Sequence, residues 1–372
     1  MAPNNTRAVL LLLLVVAGMC PMPGAARDDC RVVAGDFAVA VRSGPSFTDY
    51  GIVGAIPEGG SLFAVGRSTR SDWYAVDFNG ARAWVSAAVV STYGGACGSL
   101  PSLPAPPLPA DLESLQTVPI LPTFGTHVQE VFGRGQARGR NPHVFAKIGD
   151  CNSEISFYLA PFDLGMYELG PYAELQATVD WFAGSFAQES VAAAAGNTTF
   201  MVLDPALSDP VQCETGEALL ACEYRRLNPA VALIGLGNND VRHLSIEEYI
   251  EYMRQVVEFT LAADIIPVLH TFTARPDQRW ERSLAVDMAM VEIAREYDVP
   301  LINFWRAART LPDFGLLERS TRLTHGWWPG APIRIDFDAG QEAVWGHALR
   351  NLLTLQTLDA LRAEVLAEDS VQ

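Results

Sequence analysis

From position 141 onward, short apolar runs able to form fully buried strands alternate with stretches whose apolar residues fall at helical spacing. This alternation limits what the chain can fold into more than any other feature. Val144-Phe145-Ala146-Lys147-Ile148 is the first run; Ala230-Val231-Ala232-Leu233-Ile234, Ile265-Ile266-Pro267-Val268-Leu269 and Pro300-Leu301-Ile302-Asn303-Phe304 follow. Between them Ile246, Tyr249, Ile250, Met253, Val257 and Leu261 share one helical face, and Ser245 with Glu248 spells a capping box at its start. Tyr172, Leu175, Val179 and Phe182 mark an earlier helix, and Leu284, Met288 and Val291 a later one. A Leu-rich stretch from Val344 to Leu366 closes the chain. Strands that alternate with helices pair in parallel, and a parallel sheet needs a helical layer on each face. Residues 141–372 are therefore expected to form a three-layer α/β domain, with its chemistry at the carboxyl ends of the strands.

The preceding region follows a different rule. Residues 30–98 alternate apolar and polar positions, as in Phe37-Ala38-Val39-Ala40-Val41-Arg42. Turn signals recur at Ser43-Gly44-Pro45, Glu58-Gly59-Gly60 and Phe78-Asn79-Gly80. Ala40-Val41-Arg42-Ser43-Gly44-Pro45, Asp72-Trp73-Tyr74-Ala75-Val76 and Ala83-Trp84-Val85 resemble the bacterial SH3-like family, although Ala40 and Ala83 stand where that family carries Asn and Gly. The resemblance implies a small all-β barrel over 27–98 and, as partner, cell wall or peptide. Trp73 and Trp84 are either part of that binding surface or simply core. Residues 99–122 carry Pro at 101, 104, 106, 107, 109, 119 and 122. With Gly133, Gly135 and Gly139 beyond, 99–140 is expected to be a semi-rigid linker and an irregular segment.

The first 26 residues read as an export signal: Arg7, an apolar run from Ala8 to Gly18, and small residues at Gly24-Ala25-Ala26. The run is short for a membrane span. Two alternatives stay open. Ala17-Gly18-Met19-Cys20 resembles a lipoprotein cleavage box, with Met19 where a small residue is wanted, and the segment can remain uncleaved as an anchor. Cysteine usage agrees with an oxidising compartment. Of six cysteines, Cys20 lies in the signal; Cys30 and Cys97 bracket the β block; Cys213 and Cys222 share one loop-like segment; Cys151 is left over. No pair has zinc-ligand spacing, and no metal or cofactor is implied. The net formal charge of −17 in 372 residues argues against nucleic acid and against anionic lipid surfaces as partners.

The carboxyl ends of the apolar runs carry Ile148-Gly149-Asp150-Cys151, Gly235-Leu236-Gly237-Asn238-Asn239-Asp240 and Leu269-His270-Thr271. With Ala195-Gly196-Asn197-Thr198 between the first two and Arg322-Leu323-Thr324-His325 near the end, residues 141–365 resemble the GDSL/SGNH hydrolase superfamily. The resemblance implies a flavodoxin-like αβα sheet and an ester hydrolase that handles lipids, sugars or thioesters. Its motifs assign the nucleophile to Cys151, oxyanion donors to the Gly196 N–H and the Asn239 amide, and the base to His325.

Two positions depart from that family: Cys151 replaces its Ser, and Arg322 replaces the Asp three residues before the His. A thiolate is a stronger nucleophile than a hydroxyl and can work with a Cys–His pair, so the changes are compatible with activity. They are equally compatible with decay, because Asp150 opposes ionisation of the neighbouring thiol. Asp336 and Asp338 are candidate replacements for the missing carboxylate. Cys151 can also be a small buried hydrophobe, and His325, before Gly326-Trp327-Trp328-Pro329-Gly330, a loop histidine. Trp327 and Trp328 either offer an apolar platform or pack on the sheet edge. The sequence thus points to an exported hydrolase acting on an ester-bearing small molecule or glycan. The competing reading is a non-catalytic envelope-binding protein built on a degenerate hydrolase domain.

Overall fold

A computed structural model describes residues 29–326 and 333–367. The expected signal segment, Cys20, Trp327 and Trp328 lie outside the described residues. Among the described residues no helix is long and apolar enough to cross a membrane. The chain divides into two compact units. One comprises residues up to Val41 with Ala55–Pro104, the other Arg42–Gly54 with Ala105–Gln372.

Seven short strands form one antiparallel sheet: β1 (Cys30–Ala34), β2 (Val39–Arg42), β3 (Ile52–Ile56), β4 (Ser61–Arg67), β5 (Trp73–Phe78), β6 (Ala81–Ser86) and β7 (Val90–Tyr93), in the order β3-β2-β6-β5-β4-β1-β7. Asn79 and Gly80 both take positive φ and join β5 to β6, as a two-residue hairpin of that composition should. Val32, Val41, Val76 and Val85 fill the core. Trp73 and Trp84 are buried with Ala75, so both pack rather than present a binding face. A disulfide joins Cys30 to Cys97.

The second unit runs α1 (Ala110–Thr117), α2 (Thr126–Ala137), β8 (Asn141–Gly149), α3 (Cys151–Glu154), α4 (Ala160–Asp163), β9 (Tyr167–Glu168), α5 (Gln176–Trp181), α6 (Thr199–Leu203), α7 (Leu219–Leu227), β10 (Pro229–Gly235), α8 (Asp240–His243), α9 (Ile246–Ala262), β11 (Ile266–His270), α10 (Trp280–Glu296), β12 (Leu301–Ile302), α11 (Phe304–Ala308), β13 (Ile335–Asp336) and α12 (Gly346–Leu361). Strands β12-β11-β10-β8 form a parallel sheet. Alternate side chains feed two cores. Phe145, Val231, Leu233 and Val268 meet α2, α5 and α12 on one face, while Ala146, Ile148, Ala232 and Ile234 meet α1, α7, α9 and α10 on the other. The three-layer αβα architecture expected from the alternation is the one found. The capping box of Ser245 and Glu248 opens α9, and Cys213 is bridged to Cys222.

Residues 99–140 depart from the expectation of an extended, irregular segment. Helix α1 buries Leu112 and Leu115, and α2 buries Val128, Val131 and Phe132. Their apolar spacing outweighs the glycines. A side chain at Gly135 would come within 2.6 Å of the Asp264 carbonyl, so glycine here permits close packing of α2. The Pro300–Phe304 run forms strand only at β12, because Asn303 caps α11.

Candidate active site

Strand β8 ends at Gly149, and Cys151 opens α3 immediately after it. Asp150 is the N-cap, its carboxylate accepting from the Asn152 N–H at 2.9 Å. Gly149 has no room for a side chain, since a Cβ would lie 2.3 Å from Ser153 Oγ. Cys151 is a free thiol, half-buried. Burial pushes it above the ordinary thiol range, and the Asp150 carboxylate adds to that. The positive charge of Arg322 pulls the other way.

Hydrogen bonds stitch the motif-bearing loops together. The segment before Gly196 lies alongside the end of β8: Gly149 N donates to Ala192 O at 3.1 Å, and Ala194 N to Gly149 O at 3.2 Å. Ala195 N donates to the Glu154 carboxylate at 2.7 Å. Gly196, with φ +92°, sits in a turn closed by Asn197 N to Ala194 O at 3.1 Å. From the loop after β10, Asn239 Nδ2 donates to Asn197 O at 3.0 Å, and Asp240 accepts from both the Thr199 N–H and hydroxyl. Asn238 Nδ2 reaches Asp150 at 3.3 Å. The N–H groups of Cys151 and Gly196 meet no acceptor among the described residues. The segments carrying Cys151, Gly196, Asn239 and Arg322 are thus brought together.

His325 lies two residues past a backbone clamp formed by Asn152, whose side chain accepts from Leu323 N at 3.0 Å and donates to Thr321 O at 3.1 Å. The His325 ring stacks on Phe157 with centroids 4.1 Å apart. The Asp336 carboxylate accepts from the Ala339 N–H within its own turn, and Asp338 is exposed.

Several site residues escaped the sequence. Arg350, buried on α12, donates to Asn152 O at 2.7 Å and to Ser153 Oγ at 3.0 Å. With Asp150, Asn152, Asn238 and His270 it lines a chamber of about 20 Å³ behind the Cys151 turn, room for about one water. His270 and His347 are held neutral by burial, with Arg350 nearby adding to the effect. Two larger cavities adjoin. One of about 360 Å³ includes Asn238, Arg242, Arg275 and Thr321. The other, about 510 Å³, includes Ser153, Glu154, Ala194 and Lys147.

In comparison with known proteins, residues 38–91 match the family model of the bacterial SH3 domain. No curated protein matches the chain. Solved structures similar to it include a GDSL-like lipase from Bacteroides thetaiotaomicron. It is 10% identical, with 63% of this chain and 98% of the other covered and a TM-score of 0.37. An acetylxylan esterase from Geobacillus stearothermophilus is 16% identical, covering 57% and 93%, TM-score 0.37. A psychrotrophic esterase from a Pseudoalteromonas species is 17% identical, covering 43% and 75%, TM-score 0.29. At these identities the likeness says nothing of chemistry.

Proposed function

We propose that the protein is an exported ester hydrolase in which Cys151 attacks the acyl carbonyl. One observation carries this reading: the loops that end β8 and β10 and the turn at Gly196 are tied into one rim around a free thiol, with two backbone N–H groups that meet no acceptor among the described residues. In the reaction, His325 takes the thiol proton. The thiolate forms a tetrahedral adduct whose oxyanion meets the Cys151 and Gly196 N–H groups and the Asn239 amide. The C–O bond breaks, the alcohol leaves with a proton returned by His325, and water hydrolyses the thioester. Two disulfides fit an extracytoplasmic site of action. The substrate proposed is an acyl ester on a small molecule or glycan, with the SH3-like unit holding cell wall.

A second reading rests on the Asp150 carboxylate and burial, which both oppose ionisation of Cys151. It makes the protein a non-catalytic binder. A p-nitrophenyl acetate assay separates the two: the hydrolase turns over and Cys151→Ala abolishes turnover. Native protein inert across a panel of short esters sinks the hydrolase reading. Activity gained only in Cys151→Ser identifies a lapsed serine enzyme.

A further inference from the structure

The cavity of about 360 Å³ is built from three segments: the start of α8 after β10, the loop between β11 and α10, and residues 313–321. The first two follow carboxyl ends of the sheet, where ligands of parallel α/β folds lodge. The cavity shares Asn238, Thr273 and Thr321 with the chamber behind the Cys151 turn, so the two spaces adjoin. Its charged lining sets Arg242, Arg275, Arg279 and Arg319 against Asp277, Asp313 and Glu318. Each of those carboxylates already has an arginine. Arg275 is bound to Asp313 and donates to the main-chain carbonyls of Leu316, Leu317 and Ser320, each at 2.8 Å. Arg279 faces Asp277 at 3.3 Å, and Arg319 faces Glu318 at 3.6 Å. Arg242 is left over, exposed and with no partner among the described residues. We propose that this cavity is the subsite for the alcohol portion of the ester, and that Arg242, with its exposed neighbours Arg279 and Arg319, selects an alcohol that carries a carboxylate. The inference rests on the ester-hydrolase reading of the Cys151 site.

A carboxylate entering this cavity takes Arg242 without breaking any existing pair, and a guanidinium meets a carboxylate with two parallel hydrogen bonds. The pairs of Arg279 and Arg319 are exposed and long, so exchanging their partners costs little. Arg275 is committed to three carbonyls and Asp313, which fixes the walls. The cavity on the Glu154 side has the opposite character: Glu154, Glu189 and Asp209 line it, and its Lys147 Nζ is given to Phe186 O. An anion is repelled there and drawn to the arginines, although the chain as a whole carries a formal charge of −17. The two cavities therefore orient a charged substrate. Thr321 leads into the segment that carries His325, the group that returns a proton to the departing alcohol in the proposed reaction. The part of the substrate lodged beside Thr321 is accordingly the alcohol.

The test compares p-acetoxybenzoate with p-acetoxybenzamide in the full chain; the two esters differ by one charge on the alcohol portion. The readout is the ratio of their kcat/KM values, and their intrinsic reactivities cancel when variants are compared. Arg242 is exposed, so its replacement leaves the core untouched. Arg242→Ala should lower the ratio about fivefold. Arg242→Glu should lower it further, and Arg242→Lys should keep most of it. Added salt should lower the native ratio more than that of Arg242→Ala. Arg254→Ala removes an exposed cation paired with Glu296, at the far end of α10 from Arg279, and should keep the native ratio. Equal ratios in native, Arg242→Ala and Arg242→Glu overturn the subsite while leaving the hydrolase. An equal loss in Arg254→Ala also overturns it, because the effect is then one of net charge. Calorimetric titration with p-hydroxybenzoate and p-hydroxybenzamide needs no turnover. Tighter binding of the acid, weakened in Arg242→Glu, in a protein that hydrolyses no ester overturns the hydrolase reading and leaves a carboxylate site standing. Equal affinity for acid and amide in the native protein overturns the subsite, whatever the ester assay shows.

Discussion

The Asn239 side-chain amide donates to the Asn197 main-chain carbonyl across 3.0 Å, fixing the loop after β10 to the turn that holds Gly196. An amide NH₂ has two hydrogens. One is used in this bond, which aims the other. Asn239→Ala should lower kcat for p-nitrophenyl acetate about 10²–10³-fold, the loss typical of one oxyanion donor. Steady-state kinetics decide it, and an unchanged kcat removes Asn239 from that role.

Two glycines hold the site loops in conformations closed to other residues. Gly196 has φ +92° with nothing within 4 Å of an added Cβ; Gly237 has φ +132° with Phe272 at 3.1 Å and Val286 at 3.2 Å. Gly196→Ala should cost about 1–2 kcal/mol, from backbone strain alone. Gly237→Ala should cost more, because overpacking adds to the strain. Urea midpoints of the two variants provide the comparison, and equal losses would contradict it.

Lys147 is the only lysine in the chain. It is buried, with Nζ donating to Phe186 O at 3.0 Å. Burial lowers it from 10.5 to about 8, against the pull of Glu223 and other carboxylates. The folded state therefore binds this proton less tightly than the unfolded chain. The penalty is full below about pH 8 and is relieved as pH rises towards 10.5. Lys147→Met should gain on native protein at pH 7 relative to pH 11, by up to about 3 kcal/mol. Chemical denaturation at the two pH values measures this, and a gap independent of pH would refute it.

The two disulfides close loops of very different length, with sequence separations of 67 for Cys30–Cys97 and 9 for Cys213–Cys222. Chain-entropy estimates give about 4 and about 2.5 kcal/mol respectively. Cys30→Ala/Cys97→Ala should therefore lower the stability of its unit more than Cys213→Ala/Cys222→Ala lowers that of the other. Calorimetric scans of the two double variants test the order.

What was legible in the sequence was local. The Ser245 and Glu248 box, the Asn79-Gly80 turn and the buried runs of β8, β10 and β11 each act within a few residues of themselves. So do the motifs at Gly149, Gly196 and Asn239, whose loops the structure ties together by hydrogen bonds. The fine structure of the site was not legible, because its partners are remote. Asn152 binds Leu323 across 171 positions, and Arg350 binds Asn152 across 198. Helix α2 was hidden for another reason: Gly133, Gly135 and Gly139 read as punctuation, whereas Gly135 serves a close approach to Asp264.

The bridge between Cys30 and Cys97 also governs how the SH3-like unit bears load. It ties the first strand to the turn that follows the last. A pull applied at Asp29 and Leu100 passes through the sulfur bridge and bypasses the strands between. The sheet cannot be unzipped by tension along the chain while that bridge is intact. The unit is thereby built as an inextensible link, whose yielding under force depends on a reductant rather than on the strength of its hydrogen bonds.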